Sequence, residues 1–196
     1  MVHAPFITLT PPPGVTHGNH LKDMFVCHES VTYNLPGLRD LTQLENILKG
    51  EGYWIHGITD SEGHRAWNKG HGTDIYYHAG GVNTRAVGCE NISEITIMLD
   101  KDLISRIEAH EMWLKRDHQL NALAMMMACW HNADKKNHPL IRSNGDSPGV
   151  CSHWDVSQHH PESKGHWDCR PFDKGGHFPL AHTIGLAKHL ALTYEF

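Results

Sequence analysis

The chain has 196 residues, 39% of them hydrophobic and 20% charged, which suits one domain with a substantial core at about 100–200 residues per domain and excludes fibrous and disordered classes. Seventeen basic against 22 acidic residues give a net charge of −5 without a long basic run, so a nucleic-acid partner is not expected. The longest apolar stretch, Ala122 to Trp130, falls well short of the roughly 18 residues needed to cross a bilayer, so no membrane insertion is expected.

Two further features of composition carry information. Nineteen His residues, with an ordinary pKa of about 6.5, carry the net charge to zero or above as pH falls below neutrality, which matters near an anionic polymer. Five Cys residues without a CxxC pair argue against a disulfide framework and for a reducing compartment. Met1 to Gly14 has no basic segment followed by an apolar one and carries Pro11, Pro12 and Pro13 in a row. It reads as no secretory signal, and synthesis in the cytoplasm is the expectation.

In chain order, residues 1–22 are rich in Pro, Gly, Thr and His and read as an irregular arm ahead of a single domain over 23–196. Met24 to Cys27 reads as a buried strand that delivers His28 at its end. Leu38, Leu41, Leu44 and Leu48 recur at steps of three and four, which predicts a helix over 38–49 with Gly50 as its C-cap. Tyr53 to Thr59, the turn residues Asp60 to Gly63, and His64 to Trp67 form a predicted hairpin. Short strands are expected at Asp74 to His78 and Arg85 to Glu90, and helices at Asp102 to Arg116 and Gln119 to His131. Pro139 to Ile141 reads as a strand, Asn144 to Trp167 as a long loop, and Leu180 to Leu192 as a closing helix.

The densest chemistry lies between Cys151 and Phe172, where four His, two Asp, one Glu and two Cys mix hard and soft ligand types in a way that suits zinc. His28 at the end of a buried strand faces the cleft where α/β sheets hold ligands. Two His and a carboxylate or thiolate from separate segments leave a fourth tetrahedral position for water, the arrangement of a catalytic zinc. Other fates compete: Glu90 as an ion-paired surface residue, His78 as a core histidine, and Trp54, Trp67, Trp154 and Trp167 as packing residues.

Four segments resemble the zinc-dependent type 2 N-acetylmuramoyl-L-alanine amidases, a family that includes phage endolysins and shares its fold with peptidoglycan recognition proteins. They are His28-Glu29-Ser30; Ile55-His56 with the turn through Asp60, Glu62 and Gly63; Tyr77-His78-Ala79-Gly80 with Val87-Gly88-Cys89-Glu90; and Ser152-His153-Trp154-Asp155-Val156-Ser157. The likeness runs over residues 24 to 195, and the order of the segments is more specific than any one of them.

The resemblance implies an α/β fold with a mixed central sheet flanked by helices, and a peptidoglycan hydrolase cutting the bond between N-acetylmuramic acid and L-alanine. It implies zinc on His28, His153 and a third ligand at Asp168, with the adjacent Cys169 as a rival, and Glu90 as general base. It implies, too, a cation where His166 stands, with Lys164 two residues earlier as the other candidate oxyanion partner. His78, Trp154 and Trp167 are candidate substrate contacts. A phage endolysin without a signal, acting on the host wall once the membrane is permeabilised, is the implied setting. A non-catalytic peptidoglycan-binding module and a zinc endopeptidase within the stem peptide are the alternatives.

Overall fold

In the computed structural model, residues 6–9, 21–31, 39–68, 74–166 and 168–193 are described. Among these residues six strands form one mixed sheet in the order β1-β4-β3-β5-β2-β6. These are β1 Phe6–Leu9, β2 Met24–Val31, β3 Gly57–Thr59, β4 Arg65–Asn68, β5 Ala86–Ser93 and β6 Gly149–Ser152. The β3–β4 pair is antiparallel and the other neighbours are parallel. The helices are α1 Arg39–Gly50, α2 Ile95–Asp100, α3 Arg106–Leu114, α4 Asp117–Ala133, α5 His153–His159 and α6 Leu180–Thr193.

Alternation along β2 and β5 sorts side chains between two layers, because successive strand residues point to opposite faces. Phe25, Cys27, Val87 and Cys89 face the main core, where they meet Trp113, Leu120, Leu123, Met126, Phe178 and Ile184 from the helical side. Within it Phe25 packs edge-on to Trp130 and Trp113 edge-on to Phe178. Met24, Val26 and Ala86 point the other way, onto Ala79, Val82, Cys151 and Val156. Leu41 and Leu44 of α1 cover Ile55, Ile58 and Ile92 further along the same sheet. His28 and Glu90, Cα partners on adjacent parallel strands, continue this second face into a cleft.

The structure departs from the sequence expectations at identifiable points. Phe6–Leu9 of the presumed arm is a strand in parallel register with β4, a pairing between segments far apart in sequence that local composition does not encode. β2 runs on through Val31, so His28 lies inside the strand and not at its end. Asp74 to His78 is no strand beyond an isolated bridge residue at Ile75, and Pro139 to Ile141 precedes only a single bridge from Arg142 to Val150. The helix expected over 102–116 begins only at Arg106, and α2 is a separate helix before it; Ser105 caps α3 through a reciprocal bond pair with Glu108. The presumed loop Asn144 to Trp167 contains β6 and α5. There Ser152 accepts from the Asp155 amide while the Asp155 carboxylate accepts from the Ser152 amide, a capping box inside a His-rich, weakly periodic run. α1 runs through Gly50, and the left-handed residue that follows is Gly52.

Candidate metal centre

His28, His153 and Asp168 offer ligand atoms that all lie within 4.8 Å of one another. His28 reaches the site from β2, between β5 and β6 in the sheet order. His153 is fixed as the first residue of α5 by the Ser152–Asp155 capping box, which Arg142 braces through Asp155 Oδ1 at 2.7 Å. Asp168 sits in a turn and divides its carboxylate, Oδ2 at 3.4 Å from His28 Nδ1 and Oδ1 at 3.1 Å from His153 Nδ1. The Glu29 amide donates to Asp168 Oδ2 at 3.4 Å.

The ionisation states suit a cation. Burial, and then the proximity of His153, lowers the His28 pKa to about 4, so the ring is neutral at pH 7. For Asp168 burial works upward, yet hydrogen bonds from His153 and His28 hold the carboxyl below its usual range and keep it anionic. Glu90 lies beside this set with Oε1 at 3.9 Å from His28 Nδ1. Burial, then Asp168 and Glu29, raises its pKa well above the carboxylate range. Its Oε2 is buried and has no hydrogen-bond partner, and such an atom is costly unless some charge or donor meets it. Two imidazoles and a carboxylate with an orphaned carboxylate oxygen alongside are a donor set that fits zinc.

Cys169 goes elsewhere. It adopts a left-handed backbone with φ 56°, its side chain is fully buried in the main core, and burial pushes its thiol well up, whereas a ligating sulfur must be a thiolate. The contrast with Asp168 arises in a turn, from the left-handed residue at 169.

The cleft has a volume of about 300 Å³ and is lined on the polar side by His28, His78, Glu90, His153, His166 and Asp168. Leu48, Tyr53, Trp54 and Ile55 form its apolar side. His166 stacks on His153 at 4.4 Å between ring centroids; burial, then His153, lowers its pKa, which disfavours the cationic form. Lys164 is exposed and does not line the cleft. Trp154 lines a separate depression with Asn144, Gln158 and Lys174 and carries the Arg170 guanidinium 4.9 Å above its ring. Trp167 lies outside the described residues.

Two residues of consequence were not singled out from the sequence for the part they play here. Trp54, read as packing, forms cleft wall. Asn91 donates to the His28 carbonyl at 2.7 Å and accepts from Thr59 Oγ at 2.8 Å, tying β2, β5 and β3 together beside the site. A second polar residue directly after Glu90, on a strand that opens with the apolar run Ala86 to Cys89, is the signal that could have flagged it.

This architecture is that of the amidase and peptidoglycan-recognition-protein fold. N-acetylmuramoyl-L-alanine amidase LysC from Clostridium intestinale superposes with a TM-score of 0.61 at 17% identity, covering 92% of this chain and 95% of that one. The Staphylococcus aureus hydrolase AmiA, solved with its ligand, gives a TM-score of 0.63 at 14% identity over 97% of this chain and 86% of its own. A mutant of Drosophila PGRP-LB gives 0.50 at 18% identity over 81% and 90%. No protein-family profile and no curated protein sequence matches the chain.

Proposed function

We propose that the chain is a zinc-dependent peptidoglycan amidase that hydrolyses the amide between N-acetylmuramic acid and the L-alanine of the stem peptide, working as a phage endolysin on the host wall after the membrane is permeabilised. The observation that carries this reading is Glu90, whose buried, unpartnered Oε2 borders a His-His-Asp set at the bottom of an open cleft. Solved neighbours named as amidases on the same fold support it.

His28, His153 and Asp168 would hold the ion, and zinc bound there would supply Lewis acidity toward a carbonyl and lower the pKa of water to about 7. Glu90 is the residue placed to accept a proton from the attacking water and pass it to the departing amine, and a divalent cation bound beside it would offset Asp168 and Glu29 and favour its ionised form. His166, exposed and stacked on His153, offers a neutral N–H to the developing oxyanion, a weaker partner than a Lys ammonium. The apolar wall of Leu48, Tyr53 and Trp54 takes the carbon-rich faces of sugar and peptide.

Digestion of purified peptidoglycan, followed by mass spectrometry of the products, tests the proposal. New N-terminal L-alanine that disappears with chelator and returns with zinc is the expected result. Cuts past L-alanine indicate an endopeptidase, binding without any product indicates a recognition module, and new reducing sugar ends without new amines overturn the amidase reading.

A further inference from the structure

One short turn touches the outer side of both histidines in the His-His-Asp set. His28 and His153 turn Nδ1 toward Asp168, so each Nε2 points away from the site and needs a partner of its own. The His28 Nε2 meets His78 Nδ1 at 3.0 Å. The His153 Nε2 meets Ser163 Oγ at 3.4 Å, and that hydroxyl donates to the Gly80 carbonyl at 3.0 Å. Both paths end on residues 78–80.

The turn is built to hold this position. The amides of His78 and Ala79 both donate to Asn83 Oδ1, at 2.9 and 2.8 Å, which locks the backbone as an Asn side chain does in turns. Gly88 leaves room for the His78 ring, since a Cβ there would stand 2.6 Å from His78 Nδ1; a Cβ on Gly80 would stand 2.7 Å from the Glu162 carbonyl oxygen. The two bare positions let the turn seat against β5 on one side and against the segment carrying Ser163 on the other.

Proton counting then sets the tautomers. With a cation in place of the Nδ1 hydrogen that otherwise meets Asp168, His153 must present a lone pair at Nδ1 and donate from Nε2, and Ser163 Oγ can accept because its one hydrogen goes to Gly80 O, which only accepts. With a cation at the site, His28 must likewise present a lone pair at Nδ1, carry its hydrogen on Nε2 and donate it to His78 Nδ1. A histidine that binds metal through one nitrogen generally donates from the other, and that bond fixes ring orientation.

We infer that the His78–Gly80 turn is the common support of both histidine ligands: His78 is the acceptor that orients His28, and the Gly80 carbonyl, through Ser163, orients His153. This rests on the metal reading above and gives His78 a positioning role in place of a substrate contact.

Zinc affinity of the full chain, measured by competition with a chromophoric chelator, tests it alongside the melting temperature of the metal-free protein. His78→Leu and Ser163→Ala should each bind zinc about 10–100-fold more weakly. His78→Asn, whose Oδ1 stands where the ring Nδ1 stood, should remain within a few-fold of the parent. A structural effect alone would not separate Asn from Leu in this way. Equal zinc affinity in parent and folded His78→Leu, or equal loss in the Asn and Leu variants, overturns the inference while leaving the metal reading intact. A parent chain that takes no zinc overturns both. Should His78→Leu fail to fold, long-range 15N–1H spectra of the zinc-loaded parent decide: both rings should carry hydrogen on Nε2, and hydrogen on Nδ1 of either refutes the assignment.

Discussion

Two clusters of carboxylate and imidazole lie one residue apart along β2, on opposite faces of the sheet. On the cleft side His28 joins His153, Asp168 and Glu90. On the core side the Glu29 carboxylate, with no exposed side-chain surface, accepts from the Thr96 amide at 3.2 Å and pairs with His177 Nε2 at 2.9 Å; Thr96 Oγ reaches the same nitrogen at 3.1 Å. In the core cluster both Glu29 oxygens are partnered. Around the cleft cluster Glu90 Oε2 and His78 Nε2 are buried without partners. Residue types alone cannot separate a structural cluster from a reactive one; the unfilled hydrogen-bonding capacity does, because only the second has something left to offer a ligand.

Substitution of one acid from each cluster should break this comparison if it is wrong. Asp168→Ala should abolish zinc binding and hydrolysis while leaving the fold, as read by circular dichroism. Glu29→Ala should do the reverse: zinc binding is kept through the unchanged backbone amide, while denaturant titration shows a loss of about 1–3 kcal/mol from stranding His177 and the Thr96 amide. Zinc loss in Glu29→Ala equal to that in Asp168→Ala would remove the distinction.

A smaller effect is expected for the proton acceptor. Glu90→Gln should retain zinc and lower turnover by about 10²–10⁴-fold, the usual worth of positioned proton transfer. Turnover near the parent value would return Glu90 to a structural role.

Acid should expose the cleft-side face next. His56 donates from Nε2 to the Asp74 carbonyl and accepts the Gly88 amide at Nδ1, so both nitrogens are engaged only when the ring is neutral. Burial, and then Lys22, lowers its pKa to about 3. The folded value lies below the unfolded one, so the unfolded chain binds the proton first. Stability is therefore intact above about pH 6.5 and falls by up to about 1.4 kcal/mol per pH unit below it. Urea midpoints of the metal-free chain between pH 7 and 4 should decline with a slope that His56→Gln makes shallower; an unchanged slope refutes the assignment to His56.

The least effect on the site is expected from Cys169→Ser. A hydroxyl placed in the main core costs stability of about 1–2 kcal/mol, but zinc content by elemental analysis should stay at the parent level. Loss of zinc here, with retention in Asp168→Ala, would reverse the choice of third ligand.

Much of the arrangement was legible where a period carries it. The helices α1, α4 and α6 follow from their apolar spacing, the hairpin expected from β formers and turn residues over Tyr53 to Trp67 is present as β3 and β4 although its first strand starts only at Gly57, and the apolar run of Ala86 to Cys89 brings Glu90 onto β5. Side-chain direction in turns has no period, so Asp168 and Cys169 could be separated only by family register, and their opposite destinations depend on the left-handed residue at 169. The helix carrying His153 was hidden because its stability comes from a cap and a brace to Arg142, neither of which leaves an amphipathic stripe. Trp54 and Trp154 exchanged expected places for a similar reason: proximity to a ligand in sequence put Trp154 near the site on paper, while the helical start at His153 sends its ring to a different depression.

The Glu29 amide bonds to Asp168 across 139 residues of chain, and β2 therefore contributes to the site long before Asp168 has been synthesised. A ribosome adding about 5–20 residues per second needs on the order of ten seconds to travel that distance, during which His28 has no complete set of neighbours to share an ion with. On the metal reading, capture would wait until Asp168 has been made, and an ion held there would clasp β2 to the two later segments that carry His153 and Asp168.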